Sequence, residues 1–185
     1  MKKFFVGVLM FLAGVAVMGQ SVDYGSGKSK HIDSLSKSDM SGLKRTWDEF
    51  KMQYVIESKD RQFVVLSPYI VIKMGNNMHV GISANYRSSG WIFMDRMAVS
   101  VDGEIFEFKF TGDVGRDVFS GSTVKEWVTQ PATPEIMEVL RKIAASSGSV
   151  KVRLEGEKFF DKQLSQKQVE DIRKILSVYD KLKIG

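Results

Sequence analysis

The chain has 185 residues, with 27 basic and 22 acidic side chains, two histidines and no cysteine. Disulfide scaffolding and thiol chemistry are excluded, so a fold of this length is held by packing, which a domain of this size can supply. Two of the basic residues fall in the first three positions, leaving 25 against 22, a net charge of +3, over the rest of the chain. With the signs interspersed, that is a solubility margin and not the one-sided basic face that nucleic acid requires.

Lys2 and Lys3 precede an uncharged run, Phe4 to Met18, with the small residues Val17 and Gly19 at the −3 and −1 positions of an export cleavage site. Residues 1–19 read as a signal peptide removed before Gln20. The run is shorter than the roughly 20 apolar residues of a membrane helix, and no other apolar stretch follows, so no stable membrane span is expected after cleavage. Residues 20–42, rich in Ser, Gly, Lys and Asp with few apolar anchors, read as a flexible arm. The remainder, 43–185, reads as one domain.

From Met40 to Phe50, Leu43, Trp47 and Phe50 recur at helical spacing and predict a short helix. Between Met52 and Trp127 the period shortens toward two: Val64 and Leu66, Tyr69 to Ile72, Val80 to Tyr86, Trp91 to Val101, and Ile105 to Phe110 predict strands. Asp102-Gly103 supplies the positive φ angles of a type I′ hairpin. Its flanks alternate, with Val99 and Val101 on one face and Phe106, Phe108 and Phe110 on the matching one. Gly75-Asn76-Asn77 and Ser88-Ser89-Gly90 mark further turns, giving an antiparallel meander.

After Trp127 the pattern becomes helical, with Thr133 as N-cap, Pro134 at the first position, an apolar stripe of Ile136, Val139, Leu140, Ile143 and Ala144, and a stop at Gly148. Val150, Val152 and Leu154 then alternate with charged residues, and a turn at Gly156 leads to Phe159 and Phe160 as a second hairpin. Ser165-x-x-Gln168 is a capping box ahead of Val169, Ile172, Leu176, Tyr179 and Leu182. The expected fold is α+β: six to eight antiparallel strands in a curved sheet or sandwich, with two C-terminal helices.

Chemical motifs are sparse. Gly25-Ser26-Gly27-Lys28-Ser29 echoes the end of a phosphate loop, but Val22 stands where the pattern needs its first glycine, and the strand and helix that must flank it are missing from the pattern. His31 and His79 are far apart in sequence and lack the spacing of a zinc site, so no metal and no cofactor is expected. No serine sits in a Gly-x-Ser-x-Gly elbow. Asp102 and Glu104 flank the hairpin tip, where the turn alone accounts for the aspartate. Asp113, Arg116 and Asp117 lie in a Gly-flanked segment, Gly112 to Gly121, expected to be a loop, and Asp95-Arg96 interrupts an apolar run. Among the aromatics, Tyr86, Trp91, Phe93 and Trp127 suit either a core or a ligand groove. The basic residues of the last helix, Lys167, Arg173, Lys174, Lys181 and Lys183, are diluted by Glu170, Asp171 and Asp180 and suit the helix dipole. The candidate ligand-binding residues are Arg87 and Trp91 beside the Ser88–Gly90 turn, and Asp113, Arg116 and Asp117.

The segments 89–97 (SGWIFMDRM), 101–106 (VDGEIF) and 152–161 (VRLEGEKFFD), with Leu164-Ser-x-x-Gln, resemble a group of bacterial secreted or lipid-anchored proteins of uncharacterised function. The resemblance spans roughly Met52 to Leu182 and implies an antiparallel, sandwich-like domain with packed helices. This chain lacks the anchoring cysteine that some of those proteins have. Rigid strands, presented loops and no concentrated titratable site lead to the expectation of an exported, periplasmic or secreted, binding module. Its partner would be an envelope or extracellular protein or glycan, not nucleic acid. The alternatives are a hydrolase of envelope material acting through Asp95, Asp113 or Asp117, and a structural envelope protein that self-associates through a strand edge.

Overall fold

The computed structural model describes residues 32, 35–73 and 77–184. The proposed leader, the Gly25–Ser29 segment, His31, and Gly75 and Asn76 of the expected turn lie outside the described residues.

Two antiparallel sheets and two helices make an α+β fold. The strands are β1 (Leu43–Asp48), β2 (Gln53–Ser58), β3 (Leu66–Lys73), β4 (Met78–Ser88), β5 (Arg96–Val101), β6 (Glu104–Lys109), β7 (Gly115–Ser120), β8 (Thr123–Pro131), β9 (Val150–Glu155) and β10 (Phe159–Gln163). The helices are α1 (Pro134–Ala145) and α2 (Gln166–Ile184), and a 3-10 turn spans Arg61–Phe63. One sheet runs β1-β2-β3-β4-β8-β7 and the other β10-β9-β5-β6.

The alternation read from the sequence decides the inner faces. Ala84, Tyr86, Val124 and Val128 of the larger sheet meet Met97, Val99, Val101, Val152 and Leu154 of the smaller, and Ile136, Val139, Leu140 and Ile143 of α1 close this core. A second cluster lies beneath α2, where Ile175 and Val178 pack on Leu43, Ile56, Ile70 and Ile72. Ile32, 3% exposed, joins it, with Leu35 and Met40 alongside, so the described part of the 20–42 segment is seated on the domain by its few apolar residues.

The Asp102-Gly103 hairpin has the expected backbone, with φ of 52° and 95°. Thr133 caps α1 by accepting from the Ile136 N–H at 3.3 Å, and the Ser165–Gln168 box closes in both directions, at 2.8 and 3.3 Å.

Four expectations are corrected. Met40–Phe50 is not a helix: Leu43–Asp48 is a strand paired with β2, since Phe50 is 92% exposed and Trp47 instead packs its ring 4.7 Å from Tyr54 across the strand pair. Trp91–Val101 is a strand only from Arg96, for a reason given below. Gly112–Gly121 is not a loop, because Gly115–Ser120 forms edge strand β7 with a bulge near Phe119; exposed along most of its length, it has no apolar alternation to announce it. Helix α1 stops at Ala145 rather than Gly148, with Ser146 as its C-cap. The strand count rises to ten because β1, β2, β7 and β8 join the six read from the alternation.

Glycine shapes the outer face of the larger sheet. Gly81 lies opposite Tyr69 and Gly115 opposite Trp127, and each aromatic ring lies over the bare glycine backbone where a Cβ would collide with it.

Candidate functional site

The inner face of β8 carries two polar side chains amid valines. Glu126, fully buried, accepts from the backbone N–H groups of Ile92, Phe93 and Met94 at 2.8, 3.0 and 2.9 Å, and from Arg116 Nε at 3.2 Å. A carboxylate can be buried when it is paired and accepts several hydrogen bonds. These bonds take the amides that a strand ladder would have used, and Phe93 adopts φ of 53°, so residues 91–95 cross between the sheets as irregular chain. Four residues along β8, Gln130 Oε1 accepts from the Thr111 N–H at 2.8 Å and holds the chain leaving β6.

This arrangement fixes the strand ends around a groove of about 300 Å³. Asn85 on β4 donates to the carbonyls of Arg61 and Val64 and to Ser83 Oγ, pinning the 3-10 turn that presents Gln62 and Phe63 to the groove. Tyr86 donates to the Gly90 carbonyl at 2.5 Å, and its ring meets Phe160 of β10 edge-on at 5.2 Å, tying the smaller sheet to the groove floor. Arg87 stacks over Phe119 of β7, 3.3 Å from the ring centre. Lys125 of β8 and Lys162 of β10 complete the charged lining, and Gln168, held by its capping box, closes the end near α2.

Of the five residues proposed from sequence, the groove contains Arg87 alone. Arg116 lies on β7 as the exposed partner of buried Glu126, with its guanidinium 5.4 Å from the Phe93 ring. Trp91 is half-buried against the main core, 6.2 Å from Phe93. Asp113 and Asp117 are exposed, the first before β7 and the second on it. Asp95 pairs with Arg96 at 3.1 Å and lies outside the groove lining. Phe63, Phe119, Lys125 and Lys162 went unnoticed. Only Glu126 left a signal, a carboxylate in register with Val124 and Val128 on an otherwise apolar strand face.

Part of the positive charge elsewhere on the surface is paired with carboxylates. Arg61 and Lys44 share Glu57, Arg96 holds Glu155, Arg141 holds Asp180, Lys142 holds Glu104, and Arg153 holds Asp161. Among the described residues, Arg87, Lys125 and Lys162 form no ion pair, and no carboxylate lines the groove with them. No three histidine, aspartate or glutamate side chains gather as metal ligands among the described residues. Comparison with protein-family models, with curated proteins and with solved structures found no match.

Proposed function

We propose that this protein is an exported binding module of the cell envelope or its surroundings that seats its ligand in the groove between β4, β7, β10 and the 3-10 turn. The observation that carries the reading is the combination, in one fixed concavity, of two exposed rings, Phe63 (68%) and Phe119 (53%), with three cations that no carboxylate neutralises. Its volume sits at the lower end of the range for small-molecule sites. The lining offers hydrogen-bond donors, charge and flat apolar surface, with no nucleophile paired to a base, so it suits recognition more than turnover. The export half of the proposal rests on the basic, apolar leader. No described helix is long and apolar enough to cross a membrane.

The test is native mass spectrometry of the protein recovered from the envelope fraction of its source cell, beside the Phe119→Ala variant. The expected result is a chain that begins at Gln20 and carries a reproducible adduct, held about tenfold more weakly by the variant, the equivalent of about 1.4 kcal/mol. A chain retained in the cytoplasm refutes export. An adduct-free chain, or one whose adduct ignores Phe119, refutes the groove.

A further inference from the structure

We propose that the groove is selective for a small oxyanion, a carboxylate or phosphate, attached to a flat and weakly polar body such as a sugar ring. The inference rests on the binding reading above and goes further by naming the ligand's chemistry.

The decisive feature is a register position. Arg87 of β4 and Lys125 of β8 are direct partners across an antiparallel pair. Side chains so placed have Cβ atoms roughly 5 Å apart, and like charges there repel. Among the described residues no ion pair relieves this, since neither Arg87 nor Lys125 holds a carboxylate. Arg87 is stacked on Phe119, and Lys125 lies 4.9 Å from the Trp127 ring, contacts that orient the two cations without neutralising them. Asp117 is the partner of Lys125 on its other side, on β7, yet its carboxylate forms no ion pair with that lysine and does not line the groove.

Lys162 arrives from the other sheet, two residues beyond Phe160 and on the same strand face. Three positive groups from three strands therefore border one concavity with no carboxylate in its lining, whereas Arg61, Arg96, Arg116, Arg141 and Arg153 each hold an acidic partner. An oxyanion between Arg87 and Lys125 converts their repulsion into two charge-assisted contacts. The rings of Phe63 and Phe119 at the rim offer flat faces to the body that carries the anion, and a volume of about 300 Å³ limits that body to one or two rings.

Four probes separate the components: glucuronic acid, glucose 6-phosphate, glucose and inorganic phosphate, each read by the shift in melting temperature and by amide chemical-shift changes in the full chain. The expected result is saturable binding of at least one of the two sugar acids, with the shifts centred on residues 85–87, 119, 125 and 162. That binding weakens as salt is raised, and glucose binds at least tenfold more weakly. Which of the two acids binds identifies carboxylate or phosphate as the anion. The double variant Arg87→Gln with Lys125→Gln loses the response at least tenfold. Should that variant not fold, Lys162→Gln, exposed on edge strand β10, is expected to fold normally and to bind the same acid severalfold more weakly.

Equal response to glucose and the acids overturns the anion selectivity while leaving the groove a binding site. Inorganic phosphate binding as tightly as glucose 6-phosphate overturns the role of the flat body. No response to either acid, or an undiminished response in a folded charge variant, overturns the inference outright. Loss of the Phe119-dependent envelope adduct is the separate result that removes the binding reading itself.

Discussion

Glu126 shows how one side chain decides the path of the backbone. Buried itself, it pairs with the exposed Arg116, and its oxygens take three amides that would otherwise be orphaned at the crossing between sheets. Removing the carboxylate leaves those amides without an acceptor, so Glu126→Ala is expected to destabilise the fold by about 3 to 5 kcal/mol in urea denaturation. Exposed Asp113, cut back to Ala, should change it by less than about 0.5 kcal/mol. Gly115→Ala has a different cause: its Cβ meets the Trp127 ring, so the substitution is expected to cost about 1 to 3 kcal/mol and to shift tryptophan fluorescence as the ring moves off the strand. Neither effect was legible at full strength in the sequence. The misplaced charge between Val124 and Val128 was visible there, but the amides it serves lie more than thirty residues away in the chain.

Where element and local chemistry agree, the sequence was sufficient. The Asp102-Gly103 turn, the Thr133-Pro134 start of α1 and the Ser165–Gln168 box each depend on residues within four positions of one another, and each folded as read. β1 and β7 depended instead on partners. Edge strands bury little, so β1 shows no clean alternation, and β7 owes its extended form to pairing with β8. The groove was missed for the same reason, since its cations come from strands adjacent only in space. Burial predicts the stability of these elements. Ile143→Ala, at a fully buried position of α1, is expected to cost about 2 to 5 kcal/mol, whereas Phe159→Ala, 64% exposed on β10, should stay within about 1 kcal/mol, both read from denaturation midpoints.

At the scale of the molecule, several ionisable groups favour the folded state away from acid. The Lys181 ammonium beside Asp39, helped by Ser36, lowers that carboxyl from its ordinary 3.8 to about 2, and Arg153 and Arg141 lower Asp161 and Asp180 in the same direction. Burial, reinforced by Lys73, lowers His79 below its usual range. Each depressed group contributes stability that is complete above its unfolded pKa and is lost as pH falls through its folded one. The melting temperature should therefore begin to fall below about pH 6.5 and fall more steeply between about pH 4 and 2, with Asp39→Asn flattening the second limb. The order of the strands carries a consequence for assembly. The smaller sheet is drawn from residues 96–109 and 150–163, with β7, β8 and α1 between them, so no single cut divides the chain into two halves that each own a sheet. The β1-to-β4 meander needs only neighbours in sequence, whereas β5 and β6 wait for β9 to complete their sheet. Pulsed hydrogen exchange during refolding should find β2 to β4 protected before β5 and β9. In that interval the apolar side of the Asp102-Gly103 hairpin lies open, and mispairing between chains competes there with correct closure.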